Sequence, residues 1–278
     1  MTTALPRLSV IGAGHLGRSL ARLWNDAGVY SIADVVARQQ AHAQEAVKFI
    51  GAGRALSVQD PLQPAEVFLI ATPDSNIEEA ARQLAASGLM TADTLVFHCS
   101  GALASNALGN LAPALVASVH PIRSFAQPEQ AVAMFEGTWC GAEGERAALD
   151  RLLPAFTAIG ARVVEVAASK KVLYHAAAVI GSNYLVTLVE AALQAYEAAG
   201  IARADALQML HPLAEGALGN ALRVGPAQAL SGPIARGDWD TVRSHEQALQ
   251  AVDPGLAEFY HLMAERTGAL KRDQEGTC

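Results

Sequence analysis

The sequence predicts an α/β protein in which a largely parallel sheet, covered by helices on both faces, is followed by an all-helical part. Three observations predict it. Short β-rich runs alternate with helical stretches over the first part of the chain. Beyond about residue 167 the composition shifts to Ala and Leu, and the pattern is helical throughout. A Gly-x-Gly-x-x-Gly turn stands between the first β-rich run and the helix after it. These observations place two domains at residues 1–166 and 167–278.

Composition excludes several classes. Of the 278 residues, 51% are hydrophobic and 17% charged, enough apolar material for a core without disulfide or metal staples and too much for a disordered chain. Cys99, Cys140 and Cys278 show no Cys-x-x-Cys spacing, so neither a disulfide framework nor a zinc ribbon is indicated, and no metal is expected. The formal net charge of -7 opposes binding to a phosphate backbone. Met1 to Pro6 carries no signal-peptide pattern and no apolar stretch reads as a membrane span, so a soluble cytoplasmic protein is expected.

The β-rich runs are Leu8 to Ile11, Ile32 to Ala37, Val67 to Ala71, Thr94 to Cys99, Val116 to His120, Thr138 to Gly141 and Arg162 to Val166. Helices of the second part break near Gly200, Gly225 to Pro226, Ser231 to Gly237 and Asp253 to Pro254. Its first helix, about Lys170 to Ala199, would run roughly 45 Å in one piece. Its apolar surplus suits a core helix or a dimer interface.

Gly12-Ala13-Gly14-His15-Leu16-Gly17 sits where a dinucleotide-binding (Rossmann) domain needs it, with Leu16, Leu20, Leu23 and Ala27 marking an amphipathic helix. Gly12 permits the tight turn, Gly14 lets the backbone approach a pyrophosphate, and Gly17 lets helix and strand pack closely. The helix N-terminus offers its N–H groups to the anion. At the end of the second strand, where an acid would read a ribose 2′-hydroxyl, stands Ala37-Arg38-Gln39. A guanidinium suits a 2′-phosphate, so NADP (NADPH) is expected over NAD, with Arg38 as its reader; a solvated surface arginine is the plainer alternative. Asp34 serves NAD only if the register is shifted. Thr72 and Pro73 fall at the sheet edge where a dinucleotide lies, while Ser75 and Glu78 form a capping-box pattern.

Two more strands end there, at His98-Cys99-Ser100-Gly101 and His120-Pro121-Ile122-Arg123-Ser124. Ser100 could hydrogen-bond a carbonyl or carboxamide beside Gly101, and His120 could supply a proton at neutral pH; a turn serine and a structural histidine are equally weighted alternatives. On the long helix Lys171, His175 and Ser182 fall within about 40° of one another and Asn183 about 80° from His175, a polar stripe that needs partners. Asp238 is placed to cap the helix containing His245, and Arg236 to pair with Asp238.

With Tyr174-His175-Ala176-Ala177-Ala178 and Ser231-Gly232-Pro233-Ile234-Ala235-Arg236-Gly237-Asp238 added to the motifs above, nearly the whole chain resembles the Rossmann-like oxidoreductases that carry a C-terminal domain of unknown function, number 2520. The resemblance implies an NADP-binding domain, then a helical domain similar to the C-terminal domain of 6-phosphogluconate dehydrogenase and a dimer through it. In the wider group of β-hydroxyacid dehydrogenases, a lysine and, four residues on, an asparagine serve the substrate. Lys171 matches the lysine, but His175 stands in the asparagine position, which weighs against the hydroxyacid reaction. Pyrroline-carboxylate reductases, similar in outline, reduce an imine.

The expectation is an NADPH-dependent reductase acting on a small carbonyl or imine carbon, with Lys171, His175 or His120 giving the proton and Ser100 and Asn183 in support. A non-catalytic NADP-binding sensor is the alternative.

Overall fold

The computed structural model describes residues 4–275 and divides by packing into two compact units, Met1–Ala178 and Val179–Cys278. The expected boundary at residues 166 and 167 coincides with the end of the sheet; the packing division falls later, within the next helix. Cys278 lies outside the described residues.

The first unit holds an eight-stranded sheet of β1 (Arg7–Ile11), β2 (Ser31–Ala37), β3 (Arg54–Ser57), β4 (Val67–Ile70), β5 (Leu95–His98), β6 (Leu115–Pro121), β7 (Trp139–Gly144) and β8 (Arg162–Glu165). Its order is β3-β2-β1-β4-β5-β6-β7-β8. Every pairing is parallel except that of β6 with β7. The helices are α1 (His15–Asp26), α2 (Gln40–Ile50), α3 (Ile77–Ala86), α4 (Pro128–Ala133), α5 (Arg146–Ala158) and α6 (Lys171–Ile180).

Successive side chains of a strand face opposite ways, so the apolar runs feed two cores. Leu8, Val10, Val35, Leu69 and Phe97 share one with Trp24 of α1 and Phe156 of α5; Phe68, Ile70 and Val96 share the other with Ile77, Ala81 and Leu84 of α3. Trp24 anchors the first: fully buried, it meets Tyr30, Phe97 and Phe156 edge to face and donates its indole N–H to the Ala155 carbonyl at 2.9 Å. Cys99 and Cys140 are buried free thiols; burial pushes both up, Cys140 to about 12.

The second unit is helical: α7 (Asn183–Ala198), α8 (Arg203–Val224), α9 (Pro226–Ala229), α10 (Gly232–Arg236), α11 (Trp239–Val252) and α12 (Pro254–Glu275). Its breaks fall where glycine and proline predict them.

Several expectations need correction. β3 was not foreseen, because Arg-Ala-Leu-Ser carries no apolar run. β7 continues past Gly141 to Gly144. The capping box is absent: a 3₁₀ turn at Asp74–Asn76 precedes α3, and Ser75 Oγ donates to Asn76 Oδ1 instead. The long helix is two, broken at Gly181 and Ser182, where a permissive glycine meets a residue that favours helix ends. The stretch Ala168–Ala198 is nevertheless long and apolar enough to cross a membrane by length and composition alone, contrary to the reading above, because it carries few charges. Asp238 does cap α11, accepting from the Thr241 N–H at 3.1 Å and hydroxyl at 2.7 Å, and these bonds replace the expected ion pair with Arg236.

Trp24→Ala should lower unfolding free energy by about 3–5 kcal/mol, read by denaturant titration, because the cavity is walled by rings that cannot collapse into it.

Candidate active site

The glycine loop is built by close approach. Gly12 has φ +109°, and a Cβ there would lie 2.6 Å from the backbone of Ala71. A Cβ on Gly17 would lie 2.9 Å from that of Ala71. Only glycine lets the turn lie against the end of β4. Gly12 N–H donates to the Val36 carbonyl at 2.9 Å, which ties the loop to β2 as well. By contrast a Cβ on Gly14 would meet nothing within 4 Å. Gly14 opens α1 without a side-chain cap and with no acid in the first turn, so the amides of His15, Leu16 and Gly17 are left for an anion. His15 Nδ1 lies 3.0 Å from the Phe125 carbonyl, tying α1 to the loop after β6.

Arg38 is exposed directly after β2. Asp34 is fully buried, receives Arg54 Nε at 2.9 Å and the Gln63 N–H at 2.7 Å, and is thereby consumed inside the fold. Thr72 Oγ1 is buried beside the glycine loop without a hydrogen-bond partner, and Pro73 is exposed next to it. A turn only glycine can make, uncapped amides and an orphaned hydroxyl together fit a dinucleotide.

Sheet register sets the next layer. His98, Ser118 and Glu143 stand side by side across β5, β6 and β7, a polar row on the α3 face. Lys171, 2% exposed, reaches it from α6. Its ammonium donates to the Ser100 carbonyl at 2.9 Å and to Ser118 Oγ, and lies 3.8 Å from Glu143 Oε1. Glu143, 7% exposed, also accepts from the Ser105 N–H at 2.6 Å and hydroxyl at 2.9 Å. Burial lowers the Lys171 ammonium below the usual lysine range, opposed chiefly by Glu143.

Ser100 is engaged on every side. Its hydroxyl donates to Asp74 Oδ2 at 2.7 Å and accepts from the Ala102 and Leu103 N–H groups. Its N–H donates to His98 Nδ1 at 3.1 Å, which leaves the His98 hydrogen on Nε2, facing the Ala104 carbonyl. Burial drives His98 down to about 4, with Lys171 contributing.

His120 and His175 meet ring to ring at 5.4 Å, edge to face. His120 Nδ1 lies 3.0 Å from the Tyr174 hydroxyl, and burial, then His175 and Lys171, push it down to about 4. His175 Nδ1 is buried without a partner. A Cβ on Gly101 would collide with His175 Nδ1, and one on Gly141 would lie 2.5 Å from the Tyr174 hydroxyl. Burial raises that phenol to about 12.

The structure thus brings Ser100, Gly101, His120, Lys171 and His175 together within the first unit. Asn183 begins α7 in the second unit, where Ser182 Oγ donates to it at 3.0 Å, so the expected stripe is divided at the helix break. Glu143, Ser118, Asp74 and Tyr174 were missed. Tyr174 adjoins His175 in sequence, a usable signal; Glu143 is identified only by strand register.

The Rossmann-like domain family matches residues 2–121, and the domain of unknown function DUF2520 matches residues 138–267. His98, Ser100, Ser118 and His120 come from the first segment; Glu143, Lys171 and His175 come from the second. Among solved structures, protein TM1727 of Thermotoga maritima is 25% identical with a TM-score of 0.74, covering 96% of this chain and 99% of that one. A Bacteroides fragilis protein provisionally named an NADP oxidoreductase is 20% identical with a TM-score of 0.79, over 95% and 98%. A pyrroline-5-carboxylate reductase of Coxiella burnetii is 16% identical with a TM-score of 0.60, over 95% and 98%. The last two likenesses concern the fold. No curated protein matches this chain.

His98 is neutral in the folded protein and binds a proton more readily once unfolded, so its share of stability is lost as pH falls from about 6.5 toward 4. Between those limits His98→Gln should lose about 3 kcal/mol less unfolding free energy than the wild type, measured by denaturation at each pH.

Proposed function

From a chain that joins a Rossmann-like domain at residues 2–121 to a DUF2520 domain at residues 138–267, we propose an NADP-dependent oxidoreductase that reduces a small carbonyl or imine. The observation that carries it is the glycine loop: a turn closed to any side chain on its inner side and open beside uncapped amides on its outer side. The diphosphate is held by the amides of His15, Leu16 and Gly17, and Arg38 takes the 2′-phosphate. Thr72, Pro73, Ser100 and Gly101 line the edge along which the dinucleotide runs.

When bound, the reduced nicotinamide supplies a hydride to the substrate carbon. The proton for the substrate oxygen or nitrogen comes from the protein. We assign it to the His120–His175 pair: His175 has an unpartnered Nδ1, and His120, held uncharged by burial, passes a proton on only as it accepts one at Nδ1 from the Tyr174 hydroxyl. Lys171 donates to the Ser100 carbonyl and Ser118 Oγ and is ion-paired with Glu143, so it supports the site from within. The similar folds of the Bacteroides fragilis and Coxiella burnetii proteins support reductase chemistry, and the latter supports an imine among the substrates.

The exposed apolar side chains of α7 and α8, among them Val186, Leu213 and Leu222, support a homodimer through the helical part. Light scattering should give twice the chain mass, and Val186→Glu should give a monomer.

Arg38→Ala should weaken NADPH binding by about 10- to 100-fold in a fluorescence titration, the worth of a charge-assisted hydrogen bond, and leave NADH binding unchanged. Wild-type protein should consume NADPH absorbance with a member of a panel of aldehydes, ketoacids and cyclic imines. His120→Gln and His175→Asn should slow that turnover by about 10²- to 10⁴-fold. Tight NADPH binding without turnover of any panel member would instead favour a sensor, which the histidine at the asparagine position supports.

A further inference from the structure

We propose that Glu143 is a positioning residue for the dinucleotide edge, holding Lys171, which in turn holds the Ser100–Gly101 loop against His175. The inference rests on the dinucleotide reading above and adds a residue to it.

Glu143 and Lys171 are both buried, and a buried ammonium needs a counter-charge and acceptors for its hydrogens. Those acceptors are the Ser100 carbonyl and Ser118 Oγ, with Glu143 Oε1 as the nearby charge. Two of its three hydrogens are taken by these acceptors and the ammonium is almost fully buried beside the Glu143 carboxylate, so Lys171 acts through what it grips. What it grips is the loop whose hydroxyl is fixed by Asp74, whose N–H is fixed by His98, and whose next residue abuts His175.

Glu143 is itself fixed. Strand register places it beside Ser118, and Ser105 donates to it twice. A well-packed apolar set could fill the same space at no loss of stability, so an ion pair here is a device for placement. It also joins the two segments: Glu143 and Lys171 come from the DUF2520 part, and Ser100, Ser105 and Ser118 from the Rossmann-like part.

The charged and titratable groups facing Lys171 are Glu143 of β7, Asp74 before α3, Cys99 and His98 at the end of β5, and His120 of β6. Of these, Glu143 is the largest influence favouring the ammonium. Without it, burial removes the proton at lower pH. The neutral amine then holds the Ser100 carbonyl more weakly, so dinucleotide affinity falls as pH rises.

The test uses the full chain, NADPH as probe, and the variants Glu143→Gln and Ser105→Ala. Measured at about pH 7 and about pH 9, NADPH affinity of Glu143→Gln should fall about tenfold more than that of the wild type, with Ser105→Ala between them. The chain has four lysines, Lys48, Lys170, Lys171 and Lys271, so selective ¹³C labelling follows the Lys171 side chain directly. Lys171 should titrate below the other three in the wild type and lower still in Glu143→Gln. If Glu143→Gln does not fold, Ser105→Ala carries both measurements. Folded variants that bind NADPH as the wild type does at both pH values overturn the proposal, as does a Lys171 that titrates with the other lysines. Failure of the wild type to bind NADPH overturns the dinucleotide reading instead, and the Lys171 titration then decides whether Glu143 holds it.

Discussion

A single ammonium buried behind the face of a β-sheet governs much of the first unit. Lys171 has no water to solvate it, so the fold must bring oxygen atoms to it from several directions. The Ser100 carbonyl, Ser118 Oγ and Glu143 arrive from a strand end, a central strand and the strand beyond. No two of these are close in sequence, so the cluster forms only once β5, β6 and β7 are paired. Local structure on this side of the sheet is therefore subordinate to long-range assembly.

The opposite character prevails at the glycine loop. Gly12 and Gly17 meet the backbone and Cβ of Ala71 so closely that the geometry follows from the absence of side chains, and the glycines themselves lie within six residues of one another. Between the two regions lie His120 and His175, both half-buried, with His175 Nδ1 unpartnered. Their burial keeps His120 uncharged at neutral pH, and the nearby Lys171 acts in the same direction. One internal cation thus lies close to an imidazole that burial holds uncharged.

What was legible in sequence followed from short-range rules. The glycine spacing, the alternation of runs, the arginine after β2 and the Gly-Pro breaks each state their meaning within a few residues. Ser100 and His120 were placed at the right edge for the same reason, although Ser100 proves to be engaged with Asp74. Glu143 was hidden because Cys-Gly-Ala-Glu-Gly has poor strand propensity and its neighbours across the sheet are distant in the chain. The single long helix was an overextension of apolar content across Gly181, where backbone preference prevails over composition.

The reversal of β7 has an architectural corollary. Because β7 is antiparallel to β6 and reached through a long connection that holds α4, its alignment is set by which of its residues face the core. Were the ladder to slide by a single notch, Ala142 or Gly144 would stand opposite Ser118. The backbone pairing could survive such a slip while the carboxylate turned to the other side of the sheet, leaving the Lys171 ammonium without its counter-ion.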